Sequence, residues 1–257
     1  MNVIKNKFLN CINGFTLAEV LITLVIIGVI AALTIPTAIA KYQKTETVSR
    51  LKKSYTMLLN AAQRYQADTG VYITDFDTSL SGKEFMEQYF NKYLQIAKHC
   101  ENDNFNKCYG STGSNLQYIT GAAFSPSHSG VILNDGSFLG ALSHAAGVDF
   151  IVDINGAKKP NRMGRDVFSF YLINPNTITN SGSSGCASTL NSLQAGIYPG
   201  SAAACFYPHA LSSRSQLLGT SVHRSCNKNA TNLNGWGDAC AAVIMMDSWQ
   251  IKDDYPW

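Results

Sequence analysis

The run from Leu17 to Ala40 constrains this 257-residue chain more than any other feature. Its twenty-four residues carry one formal charge, Glu19. As α-helix they would extend roughly 36 Å, enough to cross hydrocarbon about 30 Å thick. A carboxylate near the head of such a run is costly in lipid and wants a specific partner. Gly28, Ala31 and Ala32 allow close helix-to-helix approach. Pro36 has no backbone donor and crowds the preceding turn, so it is expected to bend or locally open the helix near its end.

An ordinary secretory signal is cut after its apolar core. Here the plausible processing point is Gly14, behind a short leader bearing Lys5 and Lys7 and ahead of the apolar run. Cutting there would leave Phe15 as the new amino terminus and keep the chain membrane-competent. Gly14-Phe15-Thr16-Leu17-Ala18-Glu19, the apolar run and Pro36 together resemble the signature of the type IV pilin and type II secretion pseudopilin family. The resemblance is specific from Asn13 to about Pro36 and fair, as helix, to about Gly70.

That resemblance implies cleavage after Gly14 by a prepilin peptidase and N-methylation of Phe15. It also implies that Glu19 attracts the α-amino group of Phe15 in a neighbouring subunit as helices stack into a filament. A desolvated amine and carboxylate relieve each other, whereas either alone is strongly disfavoured. The alternative is that Glu19 lies at the membrane edge and reaches headgroup water, as in a plain signal anchor. The implied partners are other pilin or pseudopilin subunits, the peptidase, and an inner-membrane assembly platform driven by a cytoplasmic ATPase. The implied location is the bacterial inner membrane, single-pass, with the leader cytoplasmic and the head periplasmic or extracellular, followed by the filament. Basic residues flank the run on both sides, so charge counting alone leaves orientation open.

Beyond the run, Val48, Leu51, Tyr55, Leu58, Ala62 and Tyr65 recur at helical spacing, with Lys41, Lys44, Arg50, Lys52, Lys53 and Arg64 between them. This half of the helix is expected to lay one stripe on a globular domain and stop at Gly70. Its basic residues read as a solvated face. The organisation is therefore a leader at 1–14, a transmembrane and amphipathic helix at 15–70, and an exported head at 71–257. The fold class is α+β: the long helix packs by its second half on an antiparallel, disulfide-stapled sheet domain.

Within the head, Ser81 and Glu84 have capping-box spacing, ahead of a short amphipathic helix through Phe85, Tyr89 and Tyr93. Asn134-Asp135-Gly136 is a hairpin turn between Val131–Leu133 and Phe138–Leu139. Val148–Ile154 and Val167–Ile173 are expected strands, Ala241–Met246 a later one. Trp249, Tyr255 and Trp257 are expected to close the core's edge. The Ser/Asn/Gly-rich stretch from Asn174 to about Gly200 would suit a recognition loop or a surface spacer.

Cys11 lies in the leader, leaving Cys100, Cys108, Cys186, Cys205, Cys226 and Cys240. An even set after an export segment reads as disulfides in an oxidising compartment. The pairs expected first are Cys100 with Cys108, then Cys186 with Cys205 and Cys226 with Cys240. No cofactor is required; Asp149, Asp153, Asn155 and Asp166 are oxygen ligands suited to Ca²⁺, as some pseudopilins bind calcium, although Asp and Asn beside glycine are more often turn formers.

Charged residues make up 14% of the chain, against about 25% in typical globular proteins. The net charge of +3 falls to +1 without Lys5 and Lys7, which argues against nucleic acid as a partner. No nucleophile elbow, zinc-protease, Walker or dinucleotide motif is present, and the five histidines are scattered. The reading is not an enzyme but a structural subunit of a type IV pilus-like or type II secretion pseudopilus filament. The alternative is a minor pilin acting as an adhesin, substrate-binding or DNA-uptake tip.

Overall fold

The computed structural model describes residues 14–110, 116–144, 147–173, 195–200, 213–221, 224–231 and 235–257. Helix α1 runs from Leu17 to Thr69, with Pro36 inside it. Two compact units divide the chain after Gln43. The first, described from Gly14, is the apolar part of α1. The second, Lys44–Trp257, holds the rest of α1 and every other element. Gly70 ends α1 as expected: its amide donates to the Gln66 carbonyl at 2.8 Å from a backbone at φ 73°, a left-handed stop that glycine adopts without a Cβ clash.

In the second unit the sheet is a six-stranded antiparallel meander in the order β1 to β6. The strands are β1 (Ile96–Asn104), β2 (Ser129–Leu133), β3 (Phe138–His144), β4 (Gly147–Asp153), β5 (Val167–Ile173) and β6 (Gly196–Pro199). The β2–β3 turn falls at Asn134-Asp135-Gly136. There Gly136 (φ 81°) donates to the Leu133 carbonyl, and the Asp135 carboxylate accepts from the Ser137 amide and hydroxyl.

Leu51, Leu58, Ala61 and Ala62 of α1 are buried against one sheet face, formed by Leu139, Ala141, Phe150, Val152, Phe168 and Phe170. Tyr55 stacks on Phe170 at 5.5 Å and donates to the Ile197 carbonyl. Arg50 binds Glu46 and the Ile154 carbonyl, and Lys53 pairs with Asp135 at 2.6 Å. Burying each large apolar side chain on this face contributes about 1.5–3 kcal/mol, whereas the exposed ion pairs contribute little. Helix α2 (Gly82–Phe85) starts with the Ser81/Glu84 box, widens through a π turn (Met86–Phe90) and tightens into a 3₁₀ turn ending at Tyr93. Tyr255 is buried, and Trp249 and Trp257 pack partly buried against the core.

Besides β6 (Gly196–Pro199), a strand at the end of the stretch expected as a loop or spacer, three features differ from expectation. Ala241–Met246 is not a strand but most of helix α4 (Cys240–Met246), which follows the short α3 (Arg214–Leu217). Val243 and Asp247 donate to the carbonyls of Ala239 and Val243. Cys240 through Ile244 are all buried, so no polar face marks the helical period, and a short apolar run reads equally as strand. β1 was missed because it is a polar edge strand, with register shifts around Lys98 and beyond His99, and an edge needs no apolar alternation.

The third difference is a second cover. All seven residues of β4 and of β5 are buried, on both faces. Phe105, Leu116, Ile151, Met163 and Val167 form a separate core on the side away from α1. That explains why the two strands read as near-continuous apolar runs.

Candidate functional site

The amino end of α1 is built locally. Thr16 precedes the first helical residue. Its amide and its hydroxyl each donate to Glu19 Oε2 at 2.8 Å, and its Oγ1 accepts from the Glu19 amide at 3.2 Å. This is a capping box, Thr at the N-cap and Glu three residues on, satisfying donors that a helix start leaves open. The signal is present in Thr16-Leu17-Ala18-Glu19, although the sequence reading gives Glu19 either a neighbouring subunit's amine or headgroup water as its partner and not this box. Both bonds land on Oε2; among the described residues none donates to Oε1. The box therefore holds the carboxylate in place without exhausting it.

Behind it the helix is bare. Phe15 is 88% exposed, Leu17 78% and Leu33 73%, and the apolar window has no buried residue. Each such side chain forgoes about 1.5–3 kcal/mol by staying in water, so this segment requires lipid or other helices. Two of its hydroxyls are satisfied within the helix: Thr23 and Thr34 donate to the Val20 and Ile30 carbonyls at 2.9 Å, which lowers their cost in hydrocarbon. A Cβ placed on Gly28 would meet nothing within 4 Å. By length and composition this helix is able to span a membrane.

In the head, Cys100 is bonded to Cys108 and Cys226 to Cys240, with Cα atoms 4.9 and 4.7 Å apart. Cys186 and Cys205 lie outside the described residues, as do Asn174 to Gln194 of the expected recognition loop.

The four oxygen ligands considered for calcium do not converge. Asp166 accepts from the Asn161 and Arg162 amides at 2.8 and 2.7 Å and from Asn155 Nδ2 at 3.3 Å. Asp153 accepts from the Tyr109 hydroxyl at 2.6 Å and the Asn155 amide at 3.1 Å. These carboxylates organise the β4–β5 loop by taking N–H and O–H donors. Burial holds both above the usual carboxylate range, and for Asp153 the neighbouring Asp166 adds to it. Asp149 sits four residues back along β4, about 13 Å away, too far to share one ion with ligands at about 2.3–2.6 Å. Among the described residues no group of three or more His, Cys, Asp or Glu is placed to hold a metal. The melting temperature of the metal-stripped protein is expected to stay unchanged on adding calcium; a saturable rise of several degrees would overturn this reading of the loop.

Comparison with known families divides the chain within α1, at Pro36. Residues 9–35, which include Gly14, Phe15 and Glu19, match the prokaryotic N-terminal methylation motif. Residues 37–257 match a family of unknown function, DUF6613. No curated protein and no solved structure matches the chain. The long helix, antiparallel sheet and disulfides fit an α+β pilin fold. The chain thus belongs to DUF6613, a family of unknown function, and bears at its amino end the methylation motif of a type IV pilin-like precursor.

Proposed function

We propose that the chain is a structural subunit of a type IV pilus-like or type II secretion pseudopilus filament. The observation that carries this reading is a methylation motif set on a membrane-length helix with no buried residue, whose continuation buries one stripe in a folded domain. Before assembly the bare segment is solvated by lipid. In the filament the same segment packs against copies from neighbouring subunits, and small residues such as Gly28 permit close approach. Assembly is then a transfer of one helix face from lipid to protein, with the work supplied by a cytoplasmic ATPase acting through an inner-membrane platform.

Processing after Gly14 frees the Phe15 α-amino group, which is N-methylated and placed against Glu19 of the next subunit. The leader lies in the cytoplasm and the head across the inner membrane, where its cysteines oxidise. Intact-mass analysis of the full chain, expressed with and without a prepilin peptidase, tests the first step. The expected product lacks Met1 to Gly14 and carries one additional methyl group. A chain that retains Met1 beside an active peptidase would defeat the proposal.

A further inference from the structure

The face of α1 that carries Lys52, Lys53 and Arg64 does not stand free in solvent. Together with the β2–β3 turn it walls a groove of about 600 Å³, large enough to seat several side chains. Met57, Tyr93 and Leu133 give the groove apolar surface. Of its charged groups, Lys53 and Asp135 cancel as an ion pair at 2.6 Å. The Lys52 ammonium has only the Trp249 ring, 6.0 Å away. The Arg64 guanidinium has no partner among the described residues. The groove thus presents positive charge in excess, on Lys52 and Arg64.

A complementary patch lies just past the end of α1 and contributes nothing to the groove's lining. Among the described residues of the second unit, Tyr72 is the only large apolar side chain left exposed, at 56%. Asp75 closes the 3₁₀ turn that follows (Ile73–Asp75); it is exposed, and its carboxylate has no partner among the described residues. Asp77 is also exposed. It accepts from the Ser79 hydroxyl and amide at 2.6 and 2.9 Å, and these bonds hold its carboxyl below the usual range, hence ionised. Between the two, Phe76 is buried and stacks on Tyr89 at 4.2 Å, which anchors the segment. The patch therefore offers one ring and two negative charges. A solvated surface accounts for the charges of either patch alone, but not for the exposed ring beside an excess of the opposite sign.

We propose that the groove receives the Tyr72–Asp77 segment of a second copy of this chain, its ring toward Met57 and Leu133 and its carboxylates toward Lys52 and Arg64. The two patches are different surfaces of one molecule, so the contact is heterologous; where its rotation does not close into a ring, it repeats as an open helical array. Complementary charge fixes register and partner choice in such a contact more than raw affinity. The inference rests on the filament reading above and adds to it which surfaces of the heads meet.

The test measures sheared fibre against total processed protein for the full chain in cells. Lys52→Glu, Arg64→Glu and Asp75→Lys are each expected to lower the fibre yield about tenfold, because each sets like charges against one another. Tyr72→Ala should lower it as well, and Tyr72→Phe should not. Joining Asp75→Lys to Lys52→Glu or to Arg64→Glu rebuilds an ion pair of reversed sense, and one of these double variants should return the yield to within about threefold of the parent. A damaged fold cannot produce that recovery, since the double variant carries both substitutions. Single variants that assemble at the parental level would overturn the proposal. So would a loss that neither double variant repairs, which would assign the groove to a different protein. A parent chain that is processed yet forms no fibre would defeat the filament reading itself, and this inference with it.

Discussion

Glu19→Gln is expected to stop filament formation as completely as Glu19→Ala. The two substitutions separate the roles that converge on this carboxylate. Glutamine at the third helical position still supports a capping box with Thr16, so a residue needed only to start α1 would tolerate the change. A residue that neutralises the neighbouring Phe15 amine would not, because glutamine leaves that ammonium buried and unpaired. Breaking a buried pair in this way costs about 3–5 kcal/mol. That amounts to roughly two to four orders of magnitude in the elongation equilibrium. The readout is the amount of sheared fibre against total processed protein, with intact mass confirming that cleavage is unaffected. Filaments at normal levels from Glu19→Gln would reduce Glu19 to its capping role.

The second large effect is expected at the Cys226–Cys240 bond. Its half-cystines are 14 residues apart and fully buried. Closing a loop of this size restricts the unfolded chain by about 3 kcal/mol, and two buried serine hydroxyls without partners would cost more. The Cys226→Ser, Cys240→Ser double variant should therefore lower the urea midpoint of the head by roughly 1–3 M, given a typical slope of about 1–3 kcal/mol per M. Tryptophan fluorescence of the full chain in detergent follows the transition. The Cys100–Cys108 bond ties the edge strand β1 to the turn that follows it, so its removal should unfold less of the head. A midpoint unchanged in the first variant would mean that the Arg224–Asp238–Ser169 contacts hold the segment between the two cysteines by themselves.

What was legible in the sequence follows a physical division. The hairpin at Asn134-Asp135-Gly136, the stop at Gly70 and the Ser81/Glu84 box each depend on residues within a few positions of one another, and each was read correctly. The Thr16/Glu19 box is equally local, its Thr-x-x-Glu spacing standing directly ahead of the apolar run. By contrast, Ala241–Met246 has no polar face, and its helical state is selected by packing against β5 and β6. The strand β1, polar and at an edge, declares itself only through its ladder with β2.

The candidate site divides in the same way. Asp149, Asp153, Asn155 and Asp166 cluster in sequence, yet a pleated strand carries Asp149 away from the others and leaves it beside Ser169, Arg224 and Asp238. Ser169 and Asp238 are 69 residues apart in the chain. No periodicity records such a meeting, because it arises when loops fold over the far face of the sheet.

By itself, then, the order of residues determined the membrane-length helix, its processing motif and the burial of its second half. Hydropathy and capping are sums over neighbours along the chain. Only the tertiary structure decided that the sheet is covered on both faces and that the basic face of α1 and the β2–β3 turn wall one groove. Those contacts join segments whose encounter depends on strand order and register, quantities that no local stretch contains.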